Sequence, residues 1–272
     1  MRDHRAYCAV GSRRAESGAP LPVKPAFRRE FLDFERGIRM GGLEPNERIT
    51  QIVKVHLVAR HGQPFIIDKW GRGRFWRWIC WLPRAGRDSK PRSSGYNFSC
   101  AKFFLSLFPG EGELAAGLQI ERAALRRGRG RADEVYLEDD WDWHRLLAGL
   151  RKGTALEAEL ARLVGREGFT ATAGPFSDMT TFRGRRWGGV AAIRRACTRI
   201  PATEWGGFQL YYPMCEKDVR ETSGAEIVAA ILAVFDEVAP AMNLIMQEPY
   251  LAPVGPGNGP SRPAGAVPGN VR

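Results

Sequence analysis

The stretch RFWRWICWLP (Arg74–Pro83) decides the fold, because its aromatic and β-branched side chains are typical of a strand. Similar short runs, broken by Gly, Pro and Ser, surround it: PFIIDKW, NFSCAKFFLSLF and LAAGLQIER. The turn residues PGEGE (Pro109–Glu113) between the last two runs predict a hairpin. Two later segments, FTATAG and GFQLYYPM, also resemble strands. We therefore predict an α+β fold: an antiparallel sheet of about five to six strands with helices mainly on one side.

Helical periodicity marks the segments that would cover this sheet. Apolar residues recur at helical spacing over residues 27–38 and again over 49–57. Asn46 is the predicted N-cap of the second helix, and Gly62 is its predicted end. The clearest helix, SGAEIVAAILAVFDEVAPAMNLIM, begins with a capping box. Shorter helices are predicted in DDWDWHRLLAGL, TALEAELARLVG and VAAIRRAC.

Composition divides the chain into three parts. Residues 1–24 form a predicted flexible basic segment, 25–248 a single α+β domain, and 249–272 a predicted disordered tail rich in Pro and Gly. The start MRDHRAYCAVGSRR lacks the apolar core of a secretory signal, and the run IVAAILAVF is too short to span a bilayer. The five scattered cysteines support neither a zinc site nor a disulfide framework. We therefore expect a cytoplasmic protein without a membrane segment.

The positive charge is concentrated in the first part of the chain. The net charge is +11, and residues 1–100 hold 20 Lys and Arg against 9 Asp and Glu, whereas the remaining residues balance at 21 against 21. A basic half beside a neutral half predicts an anionic partner for the first half. A GC-rich genome would also enrich the chain in Arg and Gly, so composition alone leaves this open.

The stretch GRGRFWRWICWLPRAGRDSKPR (Gly71–Arg92) combines cations with indoles. Guanidinium groups beside exposed indoles suit phosphates and unpaired bases. Strand alternation would place Trp76, Trp78 and Cys80 on one face. The alternative is that the indoles belong to the core. The predicted anion-binding residues are Arg72, Arg74, Arg77, Arg87, Lys90 and Arg92, with Trp76 and Trp78 as stacking candidates.

A second candidate site lies in EDDWDWHR (Glu138–Arg145). Asp140 and His144 are four residues apart, so on a helix they share a face and can share a metal ion. Asp142 and, from the preceding strand, Glu121 are further candidates. Such a cluster would suit a Mg²⁺- or Mn²⁺-dependent hydrolase or nuclease. The simpler interpretation is that the acids cap a helix, in which case no metal or other cofactor is expected.

The stretch VARHGQPF (Val58–Phe65) resembles the nucleophile segment of the histidine phosphatases. The resemblance implies a catalytic role for His61, a strand before it, and a second histidine later in the chain. The only later histidine is His144, and the residues before His61 have helical rather than strand spacing. We therefore interpret Arg60 and His61 as cations in the last turn of a helix.

Three classes of function follow. The first is a non-catalytic module that binds nucleic acid or another polyanion through the basic, Trp- and Arg-rich first 100 residues. The second is the metal-dependent hydrolase or nuclease, and the third is a structural or regulatory protein without a ligand. The sequence favours a protein that is not an enzyme, and it leaves the oligomeric state open.

Overall fold

The computed structural model describes residues 25–90, 100–122, 142–185 and 187–252, and of Arg72 it describes the backbone alone. Within these residues a nine-stranded antiparallel sheet is covered by seven α-helices. The predicted α+β class is therefore confirmed, and the predicted five to six strands are too few. The extra strands are short, as their bounds show.

The strands follow the order β1-β2-β4-β5-β6-β9-β7-β8, and β3 pairs with β4 as a further antiparallel neighbour. Their bounds are β1 Leu32–Asp33, β2 Gly37–Arg39, β3 Phe65–Arg72, β4 Phe75–Pro83, β5 Lys102–Leu107, β6 Glu113–Arg122, β7 Thr170–Pro175, β8 Thr180–Arg183 and β9 Gly206–Cys215. The helices are α1 Ile49–His61, α2 Arg84–Asp88, α3 Asp142–Gly149, α4 Ala155–Arg166, α5 Gly189–Thr198, α6 Glu216–Glu221 and α7 Gly224–Ile245.

The two faces of the sheet differ in chemistry. One face carries alternate apolar residues such as Ile79, Phe103 and Leu118, and the buried apolar side chains of α1 and α3–α7 pack on it in one large cluster. We call this the helix face. The opposite face holds a smaller cluster around Cys80 and Phe104, interleaved with polar side chains. We call this the polar face.

Helix α7 is the longest element of the helix face. It begins with the predicted capping box, in which Ser223 and Glu226 exchange hydrogen bonds. By length and composition α7 is apolar enough to cross a membrane, yet half of its most apolar window is buried inside the protein. Its contacts with β6, α3 and α4 show that the buried part of this apolar surface belongs to the core.

Residues 27–38 form a short turn and two strands rather than the predicted helix. Their aromatic side chains recur at helical spacing, but the side chain of Asp33 accepts hydrogen bonds from the backbone of Glu35 and Arg36 and closes a tight turn. Gly37 follows with a φ of 115°, which a helix does not accept. The local turn therefore prevails over the apolar spacing.

The two ends of α1 differ in how well capping residues predicted them. The helix ends at Gly62 in the left-handed conformation, as predicted, but its N-cap is Arg48 instead of Asn46. The described residues also include the first four of the predicted tail, 249–252. Leu251 is buried and exchanges two hydrogen bonds with the side chain of Asn243. The predicted segment 1–24 and residues 253–272 lie outside the described residues.

Candidate functional site

Exposed cations lie over aromatic rings at the tip of the β3–β4 hairpin. The ammonium of Lys69 lies 4.8 Å from the ring centre of Trp76, and the guanidinium of Arg77 lies 5.9 Å from that of Trp70. Both cations are exposed, whereas both indoles are half-buried. The rings hold each cation in place while leaving its charge in solvent.

The neighbouring strands continue this pattern. The guanidinium of Arg36 lies 5.6 Å from the ring of Phe75, and that of Arg39 lies 5.7 Å from the ring of Phe31. Because Arg39 pairs directly with Phe75 across β2 and β4, these contacts adjoin the hairpin tip. Arg74, which is exposed, lies in the turn between β3 and β4. We call the whole group the basic–aromatic corner, and it consists of Phe31, Arg36, Arg39, Lys69, Trp70, Arg74, Phe75, Trp76 and Arg77.

The charge at this corner is little compensated. Within the described ranges, Lys69, Arg74 and Arg77 form no ion pair with a carboxylate. Arg36 has a single long contact of 3.8 Å with Asp33, and its side chain is 68% exposed. Exposed pairs of this kind contribute little, so the corner keeps its positive potential.

Two of the other predicted anion-binding residues, Arg87 and Lys90, lie away from the corner. Arg87 follows the opposite end of β4 in α2, and the nine residues of β4 span about 30 Å. Lys90 is buried, and its ammonium donates to Asp142 Oδ1 at 2.6 Å. A buried carboxylate therefore already binds the ammonium that was predicted to contact phosphate. Arg92 lies outside the described residues, as does the side chain of Arg72.

A bulge separates the two tryptophans that were predicted to share a face. Trp70 pairs with Trp78, but Gly71 pairs with Trp76, so Arg77 is an extra residue in β4. As a result Trp76 packs toward the helix face and Trp78 toward the polar face. The third indole of the strand, Trp81, is fully buried and donates to the carbonyl of Thr50 at 3.0 Å.

The polar face contains a chain of hydrogen bonds that crosses four strands. Thr172 on β7 donates to Gln209 Oε1 at 3.2 Å, and Gln209 on β9 donates to Gln119 Oε1 at 2.9 Å. Gln119 on β6 then donates to Glu121 Oε1 at 2.7 Å. Glu121 also accepts from the ammonium of Lys102 on β5. The bonds that start at Thr172 all run toward Glu121, whose carboxylate accepts from Gln119 and from Lys102.

An indole joins this chain from β4. Trp78 Nε1 donates to Gln119 Oε1 at 2.8 Å, so that oxygen accepts two hydrogen bonds. The ammonium of Lys102 lies 6.0 Å from the ring of Trp78. Gln119, Glu121 and Lys102 are buried, whereas Trp78 and Gln209 are half-buried. Among the described residues of the network, Trp78 and Gln209 are therefore the ones in partial contact with solvent.

Burial and charge act in opposite directions on Lys102. Burial disfavours its ammonium form, but the charge and hydrogen bond of Glu121 outweigh this, so the pKa of Lys102 lies above its ordinary value. The lysine is therefore a cation at neutral pH and not a nucleophile. Burial likewise raises the pKa of the Cys80 thiol well above its ordinary value, so this neighbour stays protonated.

The described residues do not assemble the predicted metal site. Glu121 and Asp142 each bind a lysine ammonium, and Asp142 also accepts from the backbone of Ala101 at 2.7 Å. No group of three possible ligands exists in the described part of the chain. His144 is half-buried on α3, and Asp140 lies outside the described residues.

His61 lies in an apolar, aromatic environment. Its ring is 6.3 Å from Phe103 and 5.8 Å from Phe65, and it is buried. Burial, together with the charge of Arg60, lowers the pKa of His61 to about 4. His61 is therefore neutral at physiological pH, contrary to the prediction of a cation at the helix end. The guanidinium of Arg60 pairs with Asp236 at 2.6 Å.

Sequence reasoning missed the polar network. A signal is present in the strands, since polar residues alternate with apolar ones at Lys102, Gln119 and Glu121. Glu121 was considered only as a metal ligand, because its lysine partner becomes visible only when β5 and β6 are placed in register.

Comparison of the chain with protein-family models, curated proteins and solved structures gave no match. Its function is therefore inferred from its own residues.

Proposed function

We propose that this protein binds nucleic acid through the basic–aromatic corner and has no catalytic role there. The observation that carries the proposal is the pair of exposed cations, Lys69 and Arg77, each lying over an indole on the neighbouring strand. Phosphates are bound by cations of this kind, and the accessible parts of the half-buried rings add stacking surface for bases.

The electrostatics of the corner support the proposal. Three of its cations, Lys69, Arg74 and Arg77, lie on the β3–β4 hairpin and have no carboxylate partner within the described residues. A polyanion that reaches the hairpin therefore replaces water and counterions without breaking an ion pair. The net charge of +11 adds long-range attraction.

The metal-dependent alternative receives less support. Lysines neutralise both of its described carboxylates, Glu121 and Asp142. The third interpretation, a protein without a ligand, predicts that no polyanion binds with a measurable salt dependence. A cytoplasmic location completes the proposal, since nucleic acids are accessible there.

The proposal is tested by measuring the affinity of the full chain for a fluorescent mixed-sequence oligonucleotide at low salt. The variant Lys69→Gln/Arg74→Gln/Arg77→Gln removes three positive charges from the corner. We expect its affinity to fall about 100-fold, because each cation that binds a phosphate contributes roughly 1 kcal/mol.

The matched control is Arg151→Gln/Lys152→Gln/Arg166→Gln. These three cations are also exposed, but they lie on and between α3 and α4 rather than at the corner. An equal decrease in affinity in both variants would show that only net charge matters and would refute a defined surface. Absence of binding by the unmodified chain would refute nucleic acid as the partner, and tighter binding of a sulfated polysaccharide would assign another polyanion.

A further inference from the structure

The polar face begins where the basic–aromatic corner ends. Trp70, which belongs to the corner, pairs directly with Trp78, and these paired side chains lie on the same face of the sheet. Trp78 is in turn hydrogen-bonded to Gln119 of the polar network. The paired indoles Trp70 and Trp78 therefore provide adjacent aromatic surfaces for a nucleic-acid strand whose phosphates are bound at the corner.

The network fixes the orientation of the outermost amide. The amide nitrogen of Gln119 must face Glu121, because an ionised carboxylate only accepts hydrogen bonds. The amide oxygen of Gln119 therefore faces Trp78 and Gln209, from which it accepts. Gln209 must then donate toward Gln119, and its own oxygen accepts from Thr172. The ion pair between Glu121 and Lys102 thereby determines which atoms Gln209 presents.

Gln209 retains hydrogen-bonding capacity after these contacts. Its amide nitrogen has a second N–H, and its oxygen has a second lone pair, neither of which bonds to another described residue. Because Gln209 is half-buried, this capacity lies at the edge of the network. One donor and one acceptor on a fixed amide complement the acceptor and donor that adenine presents at N7 and N6.

We propose that the polar face recognises an unpaired adenine of the bound strand. The half-buried indole of Trp78 provides the stacking surface, and the amide of Gln209 contacts the base edge. Thr172, Gln119, Glu121 and Lys102 are positioning residues that hold the amide in one orientation. This inference rests on the proposed function, since the strand must first be bound at the corner.

The experiment compares the affinities of the full chain for oligo-dA, oligo-dT and oligo-dC of equal length. We expect a preference of about tenfold for oligo-dA, the size of one good contact between an amide and adenine. Gln209→Leu should abolish the preference by lowering the affinity for oligo-dA to that for oligo-dT. Thr172→Val, which removes the donor to Gln209 while conserving shape, should reduce the preference in a variant that remains well packed.

The outcomes separate the two proposals. If all three oligonucleotides bind equally and Gln209→Leu changes nothing, the base-recognition proposal is refuted while binding at the corner stands. Equal weakening of all three oligonucleotides by Gln209→Leu also refutes it, because the residue then supports the fold or the phosphates. If none of them binds, both proposals are refuted.

Discussion

Cationic side chains of the basic–aromatic corner and of the polar face differ in burial and in their partners. At the corner, Lys69 and Arg77 lie on indoles and extend into solvent. On the polar face and beside it, Lys102 and Lys90 are buried, and each binds a carboxylate. The two interior lysines thus bind carboxylates, whereas Lys69 and Arg77 at the corner have no carboxylate partner among the described residues.

The largest effect should follow from breaking the interior pair. Lys102→Met leaves the carboxylate of Glu121 buried without its counter-charge, so the free energy of unfolding should fall by about 3–5 kcal/mol. Urea denaturation of the purified chain measures it. The double variant Lys102→Met/Glu121→Leu removes both charges and should be less destabilised than the single one. If the single variant is as stable as the unmodified chain, the pair is not buried as described.

The next effect concerns His61, a buried basic group without a carboxylate partner in the described part of the chain, and the pH dependence of the free energy of unfolding. Its pKa in the folded state is about 4, below the ordinary value of 6.5, so the unfolded chain takes up the proton first. Stability should therefore be full above pH 6.5 and fall by about 3 kcal/mol as the pH drops toward 4. His61→Phe should remove this part of the pH dependence. An identical pH profile in the two proteins would contradict the lowered pKa.

A smaller decrease in stability is expected at the border between the two regions. Trp78→Phe conserves a ring but removes the hydrogen bond from the indole nitrogen to Gln119, which costs about 1 kcal/mol of unfolding free energy. Gln119 keeps its bond from Gln209, so no acceptor is left unsatisfied. A decrease as large as that of Lys102→Met would mean that Trp78 is a core residue and not part of the border.

The smallest change in stability should occur at the corner itself. Lys69→Gln and Arg77→Gln each remove one exposed interaction between a cation and a ring, worth about 0.5–1 kcal/mol. Thermal unfolding of both variants measures this change. A much larger destabilisation would show that these cations hold the fold together, which would remove the contrast with the interior pairs.

The sequence predicted the fold class because the strands from Phe65 onward are aromatic and β-branched, and because α4 and α7 carry clear capping residues. It failed for β1, β2 and β8, which have two to four residues and too little alternation to recognise. Phe27 to Ile38 was assigned to a helix because turn formation at Asp33 depends on geometry that apolar spacing does not encode.

For the candidate site, too, local features could be predicted from the sequence and long-range contacts could not. Charge and aromatic content predicted Arg74 and Arg77 as exposed cations, since these properties are local. The carboxylate that binds Lys90 belongs to Asp142, 52 residues away, so no local pattern predicts this ion pair. The bulge at Arg77 and the chain of bonds from Thr172 to Glu121 depend on strand register, which no single segment determines.

The central claim is that the uncompensated cations of the corner bind phosphates, and the salt dependence of oligonucleotide affinity tests it most directly. Affinities of the full chain between about 50 and 200 mM salt should fall steeply on a logarithmic plot. The slope should lessen by about three for Lys69→Gln/Arg74→Gln/Arg77→Gln, roughly one for each cation that no longer binds a phosphate, and should hardly change for the control triple variant. A slope that is the same in all three proteins, or an affinity indifferent to salt, would contradict the claim.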